Sequence, residues 1–347
     1  MDRTRAVATA SEGVAAEAAT ATLGKGNAVD AVVAGLFAAA AASPSVLLGP
    51  VQILFGGAGL GLRAVDGRVR QAGKGAPRPR GFTQDQAIAP AARVGVSAFP
   101  AALAAALASS GAMTLAQAMA PAVAGARGER KALLRTIAQR GPSALAAEAV
   151  AGEIVAVCGR VAGGLLTRDD LDEILPAIEP VEERALRGPA RRAAFIPWRE
   201  SAVATRTDPE LPSANVHVVG AVDHRGLVAV GCYERPDDGV AIEALGLVAP
   251  FAASPVLRGQ TRVRPGTVCP AAAPIALVRT AEDAALDMAL AIAGDPRGEH
   301  ALGESLDAWS EEAGELTPSY TGPGALIGLI RTKGAVSLLA RRAPSSV

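Results

Sequence analysis

Aromatic side chains are scarce in this sequence, at 3% of 347 residues, although half of the residues are hydrophobic. Most of the apolar residues are Ala, Val or Leu, which suits Ala-rich helices that pack closely on sheets. A surface that stacks nucleobases depends on aromatic rings, and this composition does not favour one. Basic and acidic residues balance at 34 each, so no net field attracts nucleic acid or an anionic membrane. We therefore expect neither as a partner.

Cysteine is also scarce, since Cys158, Cys232 and Cys269 are the three in the chain and stand far apart. There is no CxxC pair and no Cys/His cluster. The sequence therefore predicts no zinc site, and the odd number of cysteines disfavours a disulfide framework. We expect no metal and no cofactor.

The small number of histidines, three in all, limits histidine-based chemistry. His217, Asp223 and a cysteine could form a Cys-His-Asp set only if their strand bends, because six residues of extended strand span about 20 Å. We interpret His217 as a half-exposed strand residue and Cys232 as a small core residue.

Long apolar runs are few. No apolar segment follows the first five residues, so a secretory signal peptide is not expected. The longest apolar run, residues 31–48, is interrupted by Ser43, Pro44 and Ser45. It predicts a buried helix that leads into a loop rather than a membrane span, and we expect a cytoplasmic protein.

The first half of the chain has mostly helical patterns. After a short strand around residues 6–9, Ser11 is predicted to cap a helix that ends near Leu23. Asn27 and Asp30 predict a capping box for the next helix, which runs to about Ala42. Further helices are predicted at residues 101–109, 115–124, 130–139, 143–157 and 169–174.

The second half has mostly strand patterns, with one helix predicted at residues 281–293. Strands are predicted at residues 216–222, 227–233, 240–248, 275–279, 325–331 and 335–340. Helices first and strands later predict the α+β class, with helices packed outside stacked sheets.

Two glycine-rich or basic stretches have alternative interpretations. Residues 56–61 superficially resemble a dinucleotide loop, but no strand–loop–helix unit supports that, and we expect a Gly-rich hairpin. We interpret the basic stretch as a solvated loop, with a phosphate-binding loop as the alternative. Its cations are Arg68, Arg70, Lys74, Arg78 and Arg80.

Several segments resemble one enzyme family in their order and spacing. They include LGKGNAVDA at residues 23–31, VGVSAFP at 94–100, GGLLT at 163–167 and VDHRG at 222–226. Together with the stretches 115–122, 137–180 and 239–248, they resemble the gamma-glutamyltranspeptidases. A long helical piece of the family is missing, because residues 181–215 alone span the corresponding gap.

The resemblance implies the four-layer αββα sandwich of the N-terminal-nucleophile hydrolases. It also implies a single domain over residues 1–347, with a large-subunit-like part at 1–212 and a small-subunit-like part at 213–347. Family members cut their own chain, and the new N-terminal Thr attacks with its own amine as base. An Arg, acidic and Asn side chains hold the glutamyl group, and backbone N–H groups stabilise the oxyanion.

The turn at residues 223–226 sets the register of this resemblance and places Val216 at the nucleophile position. Valine has no oxygen, so neither self-cleavage nor acyl transfer is expected there. The family's Arg falls near residues 73–77, where Lys74 offers the one cation, a point charge without the guanidinium fork. The acidic segment, the paired serines and the oxyanion loop also have no matching residues near 250–255, 271–274 and 278–281.

Two hypotheses follow from the sequence. In the first, the chain is a non-catalytic, unprocessed homologue that binds a small molecule or a protein partner, and exposed apolar surface supports a homodimer. In the second, it is an active gamma-glutamyl hydrolase or transferase on a glutathione-type substrate with a displaced nucleophile such as Ser213. That displacement requires a three-residue slip, which turns side chains to the other face of the strand. Ser201, Thr205 and Thr207 are weaker candidates in a polar loop.

Overall fold

The computed structural model describes residues 6–342 except 78, 84, 173, 187–190, 199–214, 281–285, 296–297, 308–309, 313–314, 318–323 and 333–334. Helices dominate the first half of this part. They are α1 (Gly13–Leu23), α2 (Ala28–Ala42), α3 (Phe99–Ser110), α4 (Leu115–Gly125), α5 (Gly128–Arg140), α6 (Glu148–Cys158), α7 (Arg168–Asp172) and α8 (Gly298–Asp307).

The first six-stranded sheet combines strands from distant parts of the chain. Its strands are β1 (Val7–Ala10), β2 (Val51–Gly57), β3 (Leu60–Gly67), β4 (Ala177–Pro180), β7 (Val216–Val222) and β8 (Leu227–Glu234). They are arranged in the order β1-β7-β8-β2-β3-β4, and every neighbouring pair is antiparallel.

The second six-stranded sheet is also antiparallel. Its strands are β5 (Glu183–Ala185), β6 (Arg191–Phe195), β11 (Ile275–Thr280), β12 (Leu286–Ala293), β15 (Ala325–Thr332) and β16 (Ala335–Arg342), in the order β16-β15-β12-β11-β6-β5. Two small hairpins are separate from both sheets. They consist of β9 (Gly239–Ile242) with β10 (Leu247–Pro250), and β13 (Ser310–Glu312) with β14 (Glu315–Thr317).

Three apolar layers hold these elements together. One lies between the first sheet and helices α1 to α6, a second between the two sheets, and a third between the second sheet and α8. Strand β7 shows the arrangement, since Val218 points into the layer between the sheets and Val219 points toward the helices. The four-layer αββα sandwich implied by the resemblance is confirmed.

The predicted capping box of α2 is confirmed. The Asn27 side chain accepts hydrogen bonds from the N–H groups of Val29 at 2.9 Å and Asp30 at 3.1 Å, and Asp30 accepts one from the Asn27 N–H at 2.8 Å. The Asp30 carboxylate also accepts from the N–H groups of Ala112 and Met113. This buried acid therefore joins the start of α2 to the loop between α3 and α4.

The prediction that Ser11 caps α1 is wrong. Helix α1 begins at Gly13, and Glu12 stands at the N-cap without a side-chain bond to the helix. Ser11 instead follows β1 directly, and its Oγ accepts a hydrogen bond from the Val218 N–H at 3.0 Å. Pairing with β7 thus takes the hydroxyl that the helix would have used.

The helix predicted at residues 281–293 is also wrong. Residues 286–293 form strand β12 between β11 and β15, and residues 281–285 lie outside the described part. Both faces of β12 are apolar, because Ala289 and Ala291 face the first sheet while Leu290 and Ile292 face α8. A continuous apolar run lacks the alternation that distinguishes a strand from a buried helix.

The hairpin predicted at residues 56–61 is confirmed, and the single strand predicted at 240–248 is wrong. Residues 56–61 form the expected hairpin, with Ala58 and Gly59 in the left-handed turn at φ 54° and 84°. The strand predicted at 240–248 is divided into β9 and β10 by a 3₁₀ turn, after which Gly246 takes φ 62°. Among the described helices, none has the length and apolar character that a membrane crossing requires.

Candidate functional site

Val216 is the first residue of β7 and lies at one end of the layer between the sheets. Its side chain is 1% exposed and packs in that apolar layer. Its carbonyl accepts a hydrogen bond from the Gly294 N–H at 2.9 Å. Across the strand pair it stands opposite Glu234 of β8. The nucleophile-equivalent position from the sequence register is therefore a buried aliphatic position.

A row of polar side chains crosses the first sheet next to this position. Cys232, Gln52 and Asp66 are direct neighbours on β8, β2 and β3, and each is at most 6% exposed. Gln52 and Cys232 lie on the same faces of their strands as Leu54 and Val230, which belong to the layer between the sheets. One end of an otherwise apolar layer is thus polar.

Arg68 and Trp198 complete this polar end. Arg68 holds the Asp66 carboxylate with two bonds, from Nε at 3.0 Å and from Nη2 at 2.9 Å. The Trp198 ring lies 5.0 Å from the Arg68 guanidinium carbon, and its indole N–H donates to Gln52 Oε1. Gln52 Nε2 donates in turn to the carbonyl of Ala272 at 3.1 Å. We name Gln52, Asp66, Arg68 and Trp198 the end network.

The segment at residues 271–274, where the resemblance placed paired serines, lies against the end network. The Ala272 N–H donates to Glu234 Oε1 at 3.0 Å, and the Ala273 N–H donates to Glu299. The Cys232 sulfur is 3.6 Å from the Ala272 carbonyl oxygen. Burial, followed by the charges of Glu299 and Glu234, raises the pKa of the Cys232 thiol well above its ordinary value. The thiol stays protonated and is a poor nucleophile.

His217 points to the opposite face of β7, toward the helices. Its ring stacks on Tyr233 with centroids 5.4 Å apart, and its Nδ1 is 3.2 Å from Ser11 Oγ. Glu12 Oε1 lies 3.9 Å from the same nitrogen and also binds Arg235. Burial lowers the pKa of His217, and Arg235 adds to this, while the charge of Glu12 acts in the opposite direction. We call these five residues the His217 cluster.

The structure does not bring a Cys-His-Asp set together. Cys232 and His217 lie on opposite faces of the first sheet. Asp223 lies beyond the far end of β7, where its carboxylate accepts from the N–H groups of Arg225 at 2.8 Å and Leu227 at 3.1 Å. Asp223 therefore closes the turn between β7 and β8.

The remaining candidates from the sequence are separate from this end network or not described. Lys74 is exposed, and its N–H donates to Asp170 at 2.9 Å in a loop outside the two sheets. Ser213, Ser201, Thr205 and Thr207 lie outside the described residues. Within the described part, no group of three or more His, Cys, Asp or Glu side chains could hold a metal ion.

Comparison with known proteins gave matches at the level of structure alone. No family model matches the sequence, and no curated protein matches it. Two structures of LmbA2991 superpose with TM-scores of 0.73 and 0.70 at 14% identity, over 98% and 99% of this chain and 97% of each of theirs. A cephalosporin acylase from Bacillus halodurans superposes at 0.70 and 15% identity, over 99% of this chain and 94% of the acylase. The chain has the N-terminal-nucleophile hydrolase fold.

A gamma-glutamyltranspeptidase from Pseudomonas nitroreducens is also similar, with a TM-score of 0.47 and 19% identity over 59% of this chain and 78% of that protein. Each of these four structures is less than 20% identical to this chain. At such low identities the similarities show the fold alone. The chemistry of this chain depends on its own residues.

The end network was not predicted, because its members are distant in sequence. Gln52 and Trp198 are 146 residues apart. A signal was nevertheless present, since Gln52 and Asp66 interrupt strands that are otherwise apolar on the same face. Chemically, the end network offers a satisfied ion pair and a satisfied amide next to an aliphatic side chain. Val216 and the protonated Cys232 leave no activated nucleophile at this described end of the sandwich.

Proposed function

We propose that this chain is a non-catalytic, unprocessed gamma-glutamyltranspeptidase-like protein that acts by binding a small molecule or a protein partner. The observation that carries the proposal is the side chain of Val216, 1% exposed in the apolar layer between the sheets. Covalent catalysis in this fold needs a hydroxyl or thiol with a base beside it, and valine has neither.

The backbone around Val216 supports the same proposal. Asn215 accepts a hydrogen bond at its carbonyl from the Arg235 N–H at 3.0 Å, and Val216 accepts one from Gly294. Residues on both sides of the expected cleavage point are thus tied to β8 and to the end of β12. An N-terminal amine at residue 216 would lie beside valine and glutamate side chains rather than beside a hydroxyl.

The alternative is an active gamma-glutamyl hydrolase or transferase on a glutathione-type substrate, with Ser213 as a displaced nucleophile. Ser213 belongs to residues 199–214, which lie outside the described part. This alternative requires that the chain be cut immediately before Ser213, so that its amine serves as the base. It therefore predicts two fragments, whereas the proposed function predicts one.

Intact-mass analysis of the purified full chain, together with turnover of a gamma-glutamyl anilide, tests the proposal. We expect one full-length mass and no turnover. Two fragments that meet near residues 212–216 would contradict the proposal. If turnover is found, Ser213→Ala tests its origin, because loss of turnover assigns the nucleophile to Ser213. Retained turnover leads to the alanine variants of Ser201, Thr205 and Thr207, and turnover retained in all four variants identifies a contaminating enzyme.

A cytoplasmic location and a homodimer belong to the same proposal. Exposed apolar side chains such as Val161, 99% exposed, and Leu175, 74% exposed, support the dimer. Light scattering on a size-exclusion column measures the mass in solution. A monomer at micromolar concentration would remove the dimer from the proposal and leave the rest intact.

A further inference from the structure

Arg262 presents an unpartnered guanidinium edge just below the surface. Its Nε and Nη2 are shielded from solvent, and neither has a hydrogen-bond partner among the described residues. The residue as a whole is half-buried and lies between exposed neighbours in the loop that connects β10 to β11. Covered donors of a cation without an acceptor are energetically costly, so such an arrangement requires an explanation.

The backbone beneath Arg262 is shaped around this guanidinium. Gly73 has φ 115°, and a Cβ there would lie 2.6 Å from Arg262 Nη2. Glycine is thus required both by the backbone angle and by the space that the arginine occupies. The glycine is held in place because the Asp170 carboxylate accepts from the N–H groups of Gly73 at 2.8 Å and Lys74 at 2.9 Å.

Asp170, the acid that holds this loop, is already bonded to other donors. Asp170 also accepts from the N–H of Thr167 at 2.9 Å and from its hydroxyl at 3.0 Å. Three of these donors meet Oδ2 and the Lys74 N–H meets Oδ1, so the carboxylate is bound to this loop and to Thr167 rather than to Arg262. No ion pair joins the two residues in the described part of the chain. The positive charge of Arg262 is therefore not cancelled by direct contact.

Two basic loops meet at Arg262. The Gln71 N–H donates to the Thr267 carbonyl at 2.8 Å, and the Arg258 N–H donates to the Phe82 carbonyl at 2.8 Å. The two ends of the basic stretch are thus joined to the two ends of the loop that contains Arg262. The basic stretch noted in the sequence therefore gains a second set of cations from a distant segment. Among the described residues of the two loops, the exposed cations are Lys74, Arg80, Arg258 and Arg264. Asp169, also exposed, is the acidic side chain beside Gly75.

Arg68 of the same protein shows what the edge of Arg262 can hold. Arg68 uses its Nε and Nη2 together to bind both oxygens of Asp66, at 3.0 Å and 2.9 Å. These are the same two nitrogens that lack a partner in Arg262. A planar fork of this kind matches two oxygens of a carboxylate or a phosphate.

We propose that Arg262 and the loop at residues 73–75 bind the oxyanion of a small molecule, a carboxylate or a phosphate. This inference rests on the proposed function, because it names the ligand chemistry of a protein that acts by binding. The anion supplies the two acceptors that the Nε–Nη2 edge lacks. The surrounding cations raise the local concentration of such a ligand.

Binding requires a movement of the covering loop, since both nitrogens are shielded. The loop is hydrogen-bonded to its neighbours at Arg258 and at Gly266, which donate to Phe82 and Gln71. Gly259 and Gly266 near these ends have φ values of 83° and 81°, and a Cβ at either glycine would meet no atom within 4 Å. The proposal places the hinges of this movement at these two ends.

Calorimetric titration of the full chain tests the site with two probes, inorganic phosphate and succinate, at constant ionic strength set with sodium chloride. We expect one or both anions to bind the wild type, and the Kd to rise at least about tenfold in Arg262→Gln. Arg264→Gln is the matched control, because it removes one exposed cation of the surrounding loops and not the binding edge. Its Kd should rise by less than about twofold. Which probe binds identifies the source of the oxyanion.

Equal Kd values in Arg262→Gln and Arg264→Gln would overturn the proposal, as would no binding of either probe up to about 10 mM. A second measurement needs no ligand. In anion-free buffer Arg262→Met should keep or raise the Tm, because it removes a charge without a partner. A lower Tm would show that Arg262 has a structural partner and would also overturn the site.

These outcomes are separable from those of the proposed function. A cleaved, active chain that still loses anion binding in Arg262→Gln would contradict the proposed function and retain the site. An uncleaved, inactive chain that binds neither probe would retain the proposed function and remove the site.

Discussion

The indole N–H of Trp198 donates a hydrogen bond to Oε1 of Gln52, and the two residues meet although 146 residues separate them. Gln52 is 1% exposed, so its amide depends on the groups around it. Trp198→Phe keeps a ring over Arg68 and removes the donor. A buried acceptor without a partner costs about 1–3 kcal/mol, and urea unfolding should show a loss of stability in that range.

The double variant Gln52→Leu/Trp198→Phe is the control for this pair. If the hydrogen bond is the cause, the double variant should lose less stability than the sum of the two single variants. Additive losses would show that Trp198 stabilises the end network by packing alone.

The pair formed by Asp66 and Arg68 should be among the most sensitive to truncation. Both side chains are below 10% exposure, at 8% and 9%. Asp66→Ala leaves the Arg68 charge buried without its partner, and we expect a loss of about 3–5 kcal/mol in urea unfolding. Glu148→Ala breaks the exposed pair between Arg168 and Glu148, where the side chains are 43% and 93% exposed, and should cost less than about 1 kcal/mol. Similar losses in both variants would contradict the buried character of the Asp66 pair.

Val216→Thr places a hydroxyl at the nucleophile-equivalent position without restoring a site. The hydroxyl enters an apolar layer, so we expect a loss of about 1–3 kcal/mol. The intact mass should remain that of one uncut chain. Cleavage between residues 215 and 216 in this variant would show that the autoprocessing machinery is retained. The lack of processing in the wild type would then result from the missing hydroxyl at residue 216 alone.

Stability should fall at acidic pH in a way that depends on His217. Burial lowers its pKa in the folded chain, with Arg235 acting in the same direction and Glu12 against it. The unfolded chain has an ordinary imidazole with a pKa near 6.5, so it takes up a proton first as the pH falls. The stability that the neutral His217 contributes is present above about pH 6.5 and is lost below it.

The measurement is the Tm between pH 8 and pH 5 for wild type and His217→Asn. The Tm of the variant should fall less over this interval than that of the wild type. His224→Asn, which removes the exposed histidine of the turn between β7 and β8, is the control and should behave as the wild type does. An equal fall in Tm for wild type and His217→Asn would exclude His217 as the group responsible.

Two glycine substitutions should have opposite effects. Gly73→Ala introduces a Cβ at φ 115° and 2.6 Å from Arg262 Nη2, and we expect a loss of about 1–3 kcal/mol. Gly152→Ala places a methyl group on the exposed surface of α6 with no atom within 4 Å, and should stabilise the chain by about 0.5–1 kcal/mol. Thermal unfolding of both variants checks the pair. A neutral Gly73→Ala would mean that the loop at residues 73–75 can rearrange.

Some features of this protein were readable from the sequence because neighbouring residues determine them. The Asn27 capping box depends on side chains three positions apart, and the turn at Ala58 and Gly59 on two adjacent residues. The alternation along β7 likewise assigns Val218 and Val219 to opposite layers. The order of the family-like motifs along the chain then predicted the αββα sandwich, because that order sets the succession of helices and strands.

Only the tertiary structure decided the rest, because those features depend on residues that are distant in the chain. β12 is a strand because β11 and β15 bond to both its edges, although its own residues are apolar on both faces. Ser11 became a partner of β7 rather than a helix cap. Arg68 and Arg262 are the same residue type. The sequence therefore does not tell that the Nε–Nη2 edge is hydrogen-bonded in Arg68 and without a partner in Arg262. The path of the folded chain determines what surrounds each guanidinium. Arg68 meets a carboxylate two residues away, and Arg262 meets the backbone of a loop from a distant segment.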